Sequence, residues 1–166
     1  MGRYVGIDPS TKTGIVILHD SGRLIMHTEY EPKTKQEPQR FLDIASEVLI
    51  CLQKGDKVMI EGFSYGSKGQ GVSTQYGIGW TVRTELVKAG YEYIEVTPTG
   101  LKKFVTNKGN TKKENMILPI NDKWGYRHDS DNVRDAFCLA QVGRYLDGLE
   151  TPTKYQEDVL KKLKGA

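Results

Sequence analysis

The chain opens with short β-branched, apolar runs separated by polar turns, and only later shifts to a helical period. Arg3 to Ile7 and Thr13 to Leu18 are two such runs on either side of the polar turn Pro9-Ser10-Thr11-Lys12, which predicts a hairpin. Asp20-Ser21-Gly22 supplies the next turn, and Arg23 to Glu31 continues as a third strand before a loop from Pro32 to Pro38. Phe41, Ile44, Ala45, Val48, Leu49 and Leu52 then recur at spacings of three and four, the apolar face of a helix that closes near Gly55. Lys57 to Ile60 is a short apolar strand running into Glu61. A second helix is expected from about Gln75 to Ala89, with Gly90 closing it, then a strand over Tyr91 to Val96 and a final helix from about Asp131 to Leu146.

Three strands, then helix, strand, helix, strand, helix is the order that a ribonuclease H-like sheet requires. Its antiparallel meander is extended by parallel strands through helical crossovers, giving an α/β fold with a five-stranded mixed sheet flanked by helices. With 166 residues, the chain suits one domain around a single core, expected over residues 1–150 and followed by a basic C-terminal tail over 151–166. That tail sets Lys154, Lys161, Lys162 and Lys164 against Glu157 and Asp158, and reads either as a short amphipathic helix or as a disordered end. No internal repeat or low-complexity stretch interrupts the pattern.

Hydrophobic residues at 37% and charged residues at 27% are ordinary for a globular protein, and no apolar run approaches the roughly 20 residues of a membrane span. Met1-Gly2-Arg3-Tyr4-Val5 carries no secretory pattern, so a cytoplasmic protein is expected. Cys51 and Cys138 sit in apolar, helix-like segments without a partner at metal-ligand spacing, which reads as buried thiols in a reducing compartment. The net charge of +3 is small but unevenly spread. Lys102, Lys103, Lys108, Lys112 and Lys113 fall between Leu101 and Lys113 with no acidic residue among them, which is either a solvated turn or a phosphate-binding patch.

The candidate chemistry lies in the acidic residues. Asp8 ends a first strand otherwise made of apolar residues and glycine, and Glu61 ends the fourth. In an open α/β sheet ligands bind outside the carboxyl ends of the strands, and the first and fourth strands of this topology are parallel neighbours, so the two carboxylates would lie side by side. Asp131 and Asp135, four apart at the start of the last helix, project from one helical face, so four carboxylates are expected to converge. Packed carboxylates repel, and a hard divalent cation relieves that repulsion. A pair of Mg²⁺ ions about 3.5–4 Å apart suits phosphodiester hydrolysis. Taken singly, each residue has a plainer reading: Asp8 as a turn former, Glu61 as a strand-end charge, Asp131 with Asn132 as a helix cap. Their joint order along one compatible topology favours function.

Gly6-Ile7-Asp8-Pro9-Ser10 followed by Thr13-Gly14, the later Ile60-Glu61, and Asp131-Asn132-Val133-Arg134-Asp135-Ala136 resemble the active-site motifs of the RuvC-type Holliday junction resolvases, especially the phage-type members, over roughly residues 3 to 146. The resemblance implies a metal-dependent endodeoxyribonuclease that resolves four-way DNA junctions, with Asp8, Glu61, Asp131 and Asp135 carrying Mg²⁺, for which Mn²⁺ substitutes. It also implies a homodimer in a bacterial or phage-infected cell. Thr106 to Lys113 resembles the family's basic loop and helix start, which makes Lys108, Lys112 and Lys113 the DNA-contacting candidates. The chain departs from the family pattern at one point: Asn132 stands three residues before Asp135, where the family often has a carboxylate. Asn132 would then bind metal through its carbonyl or hold a ligand in place, and Asp129 is a weaker substitute.

After Glu61, the glycine-rich stretch Phe63-Ser64-Tyr65-Gly66-Ser67-Lys68 sets Phe63, Tyr65 and Lys68 beside the expected site, where aromatic rings could stack on unpaired bases or Phe63 could pack under the sheet. The helix bearing Ile78, Trp80, Val82, Leu86 and Val87 has more apolar surface than one sheet face needs, consistent with either a dimer face or core. His128 reads as a surface residue, with water positioning as the alternative, and His19 and His27 are given no role. Three rival readings share parts of the pattern. One is the phosphate loop of actin-like kinases, which need two such domains. Another is a DNA-binding relative without activity. The last is a related nuclease acting on flaps or structured RNA.

Overall fold

A computed structural model describes residues 2–165; Met1 and Ala166, the outer ends of the expected domain and tail, lie outside the described residues. Five strands, β1 (Arg3–Asp8), β2 (Thr13–His19), β3 (Leu24–Tyr30), β4 (Lys57–Glu61) and β5 (Tyr93–Val96), form one sheet in the order β3-β2-β1-β4-β5. β3, β2 and β1 are antiparallel, while β4 and β5 add to β1 in parallel. The expected mixed sheet is therefore present, and its strand boundaries lie within a few residues of the sequence reading.

Side-chain alternation divides the strands between two layers. Val5, Ile7, Ile15, Ile17, Val58 and Ile60 face helices α1 (Gln39–Cys51) and α2 (Val72–Lys88), where Ile44, Val48, Ile78, Val82 and Leu86 complete an apolar core. Tyr4, Val16, Leu18 and Met59 point the other way, toward helix α5 (Asp131–Leu146). Glycine sets how closely α5 approaches the sheet. A Cβ on Gly6 would fall 1.8 Å from the Ala136 carbonyl oxygen and one on Gly14 would fall 2.2 Å from that of Asn132, so only glycine lets the helix backbone rest on β1 and β2.

Three further helices pack on the α5 side. α3 (Pro98–Thr106) begins at Thr97, whose hydroxyl accepts from the Gly100 N–H, with Pro98 in the first turn. A single 3-10 turn (Lys113–Met116) leads into α4 (Ile117–Trp124). The segment after residue 150, read as a basic tail, forms α6 (Lys154–Lys164), which buries Val159 and Leu160 in this core, while the buried Gln156 amide donates to the Phe104 carbonyl at 3.2 Å. Thr153 and Gln156 close a capping box at its start. Of the two forms read from the sequence, this is the helical one, and the segment is docked to the domain because the lysines occupy one face and the apolar residues the other. Cys138 is buried and Cys51 half-buried, both as free thiols. Among the described residues, no helix is long and apolar enough to cross a membrane.

Candidate metal centre and its cleft

The parallel register of β1 and β4 brings the first two carboxylates together. Ile7 pairs with Ile60, so Asp8 and Glu61 follow as the next residues of adjacent strands, on the face opposite the α1/α2 core. α5 contributes the third. Its cap is Ser130, whose hydroxyl accepts from the Val133 N–H, rather than Asp131 or Asn132. Asp135, one turn in, is carried down to the strand ends by the close contacts at Gly6 and Gly14. Each of Asp8, Glu61 and Asp135 offers one carboxylate oxygen, and these oxygens lie within 4.8 Å of one another.

The electrostatics of this group are those of acids crowded into a buried space. Burial raises the Asp8 carboxyl well above its usual range, and the neighbouring Glu61 and Asp135 charges push it further. Burial also raises Glu61 to about 8, with the Asp135 charge adding to the effect. Asp135 rises to about 6, again mainly through burial. Lys113 opposes all three shifts, but a single ammonium does not neutralise three carboxylates. Burial and mutual repulsion therefore favour protonation of these acids, and a hard cation could take the place of the protons. The all-oxygen donor set, closely spaced and mostly buried, fits Mg²⁺ or Mn²⁺.

Asp131 lies outside this group of three. Its carboxylate accepts from Lys113 Nζ at 2.5 Å, and that bond, more than any other influence, holds its pKa below the usual range. Burial alone would lower Lys113, yet the bond to Asp131 and the surrounding carboxylates outweigh it, so its pKa is raised. Asn132 donates through Nδ2 to the Lys12 carbonyl at 2.8 Å, tying α5 to the β1–β2 turn beside the cleft. The Asp129 carbonyl accepts from Arg134 at 3.1 Å, and Asp129 is exposed.

Outside the triad is a cleft of about 460 Å³, whose walls include Asp8, Glu61, Phe63, Lys68, Lys113 and Asn132. Phe63 stacks on Tyr76 with ring centroids 5.0 Å apart, and the Arg83 guanidinium lies 4.2 Å from the Phe63 centroid on α2. The Phe63 ring packs on α2 and also lines the cleft. Tyr65 stands at the rim, 77% exposed, 6.1 Å from Phe63 between centroids. Lys108 and Lys112 are exposed in the turns that follow α3. Tyr76 and Arg83 are cleft residues that the sequence reading did not select. Arg83 had a visible signal, being a charge set among Ile78, Val82 and Leu86 on the buried side of its helix. His128 accepts from the Ser130 N–H and packs edge-on against His27, away from the triad.

No protein-family model matches the chain, and no curated protein does. Among solved structures, Thermus thermophilus RuvC aligns with a TM-score of 0.71 at 20% identity, over 91% of this chain and 99% of that one. The same enzyme in complex with a Holliday junction substrate aligns at a TM-score of 0.72 with the same identity and coverage. The fold is that of RuvC. Within it, the carboxyl ends of β1 and β4 and the first turns of α5 carry the carboxylate triad, and the loop before α2 forms the outer wall of the cleft.

Proposed function

We propose that this protein is a metal-dependent endodeoxyribonuclease that cuts branched DNA, with four-way junctions as its substrate. The observation that carries this reading is the buried triad Asp8, Glu61 and Asp135, its oxygens within 4.8 Å of one another, opening onto a cleft lined by aromatic and basic side chains. The RuvC fold and the RuvC structure solved with a Holliday junction substrate support the choice of substrate.

In this reading Asp8, Glu61 and Asp135 hold Mg²⁺, with Mn²⁺ as a substitute. A bound divalent ion supplies Lewis-acid stabilisation of the scissile phosphate and activates water for attack. The chain's own groups do the rest. Lys113, kept protonated beside Asp131, sets a positive charge at the cleft wall next to the triad for a phosphate. Asp131 orients that lysine. Phe63 and Tyr65 offer ring faces to bases unpaired at a branch point, and Lys68, Lys108 and Lys112 follow the backbone. The homodimer implied by the family resemblance is supported by α2, which exposes Trp80 at 54% and Val87 at 63% while its other face is buried. A dimer would place two cleavage sites symmetrically on a four-way junction.

The test is incubation with labelled four-way junctions, flaps and linear duplexes in Mg²⁺ or in EDTA. Paired symmetric nicks on the junction in Mg²⁺ and none in EDTA are expected. Equal cutting of linear duplex, or cutting that survives EDTA, overturns the reading.

A further inference from the structure

Arg83 is 2% exposed, and a buried guanidinium must have its charge and donors matched. Its Nε donates to Glu95 Oε1 on β5 at 2.6 Å, Nη1 to the Gly79 carbonyl at 3.0 Å, and Nη2 to the Glu61 carbonyl at 3.1 Å. Its carbon lies 4.2 Å from the centroid of the Phe63 ring. Room for that ring comes from Gly79, where a Cβ would fall 2.3 Å from Phe63 Cε1. One planar group thus grips the backbone of a triad residue from the α2 side of the sheet, while that residue's carboxylate meets Asp8 and Asp135 on the other. The same group underlies an aromatic ring of the cleft wall.

Building on the nuclease reading above, we propose that Arg83 is a positioning residue that couples the Phe63 ring to the Glu61 carboxylate, so that stacking of a base in the cleft and occupancy of the metal site favour each other. Glu95 is the counter-ion that holds the guanidinium in place from the solvent side, its side chain being 43% exposed. A lysine at position 83 keeps the charge and a bond to Glu95, but its single ammonium cannot reach the Glu61 carbonyl, the Gly79 carbonyl and the ring together. The proposal therefore turns on the planar fork rather than on charge.

The test compares wild type, Arg83→Lys, Glu95→Gln and the double variant Arg83→Lys/Phe63→Leu, each with its melting temperature measured. One readout is Mn²⁺ affinity by calorimetry without DNA; the other is quenching of 2-aminopurine at the crossover of a four-way junction. Arg83→Lys, melting close to wild type, is expected to weaken Mn²⁺ binding about tenfold and to lose the quenching. Adding Phe63→Leu should lower the quenching no further. Wild-type Mn²⁺ affinity or wild-type quenching in Arg83→Lys overturns the proposal, as does a further loss of quenching in the double variant. Should Arg83→Lys fail to fold, Glu95→Gln decides, with smaller losses in both readouts expected and no change in either overturning it. If wild type cuts no branched DNA in Mg²⁺ while Arg83→Lys still loses Mn²⁺ affinity, the nuclease reading falls and the grip on Glu61 stands. If wild type cuts and Arg83→Lys matches it in both readouts, only the coupling falls.

Discussion

The two faces of the sheet are built from the same strands to opposite ends. On the α1/α2 face, Val5, Ile7, Ile15, Ile17, Val58 and Ile60 form a branched-aliphatic layer, and Arg83 on α2 brings one buried charge to this side of the sheet. On the α5 face, the alternating positions run Tyr4, Gly6, Asp8 on β1 and Met59, Glu61 on β4, so the apolar layer gives way to glycine and then to carboxylate at the strand ends. The first face supplies stability through burial. The second spends some of it, bringing a helix backbone onto the sheet and crowding three acids at its edge. The candidate site lies where one face departs from the pattern that the other maintains.

The largest expected break of this contrast is at Gly6. Gly6→Val would drive a side chain into the Ala136 carbonyl, displacing α5 and abolishing cooperative unfolding at 25 °C as followed by circular dichroism. Ile60→Ala on the other face should instead leave a folded protein, destabilised by about 2–5 kcal/mol in urea titration and still binding metal. Next comes Asp8→Asn. Cleavage should fall by at least about a hundredfold, while the melting temperature in EDTA stays level or rises because a repelled buried carboxylate is gone. A marked loss of thermal stability would make Asp8 structural.

A smaller effect follows from the raised acids. Glu61 titrates near 8 in the folded chain against 4.5 ordinarily, and Asp135 near 6 against 3.8, so the metal-free folded state binds more protons than the unfolded one across that interval. Stability in EDTA therefore falls as pH rises from about 4 to about 8, the sign opposite to that of a salt-bridged acid. Melting temperatures across this range should slope downward, Glu61→Gln should lessen the slope, and saturating Mn²⁺ should flatten it. The smallest expected effect is at the surface. Binding to a four-way junction should weaken steeply with salt, and Lys108→Ala should reduce the slope of log K against log salt by about 1 while leaving metal affinity unchanged.

Much of this was legible in the sequence because the sheet obeys local rules. Period-two runs give the strands, and the placement of Asp8 and Glu61 at strand ends follows once parallel pairing is assumed. What was not legible depended on distance in the chain. Lys113 captures Asp131 across 18 residues, and no spacing rule reveals such a bond. Helical geometry allowed both Asp131 and Asn132 to share a face with Asp135, since four residues rotate by about 400° and three by about 300°, and only the pairing with Lys113 sets Asp131 apart. α3 was written in Thr97-Pro98, a cap followed by a first-turn proline, but its short amphipathic run was masked by Gly100 and the lysines. α6 needed the core to define it, because its apolar face is narrow and meets a surface contributed by α3.

If Asp8, Glu61 and Asp135 form a site for a divalent cation, calorimetric titration with Mn²⁺ at pH 7 in two buffers of different ionisation enthalpy will show it. Because Glu61 titrates near 8, it is largely protonated at pH 7 without metal, so binding should release protons and the apparent enthalpy should differ between the buffers. Glu61→Gln should reduce that release and lose most of the affinity, with Asp8 still giving up a proton, whereas Asp131→Asn should keep both. Wild-type protein that binds no Mn²⁺, or binds it without releasing protons, would rule out a cation site at Asp8, Glu61 and Asp135.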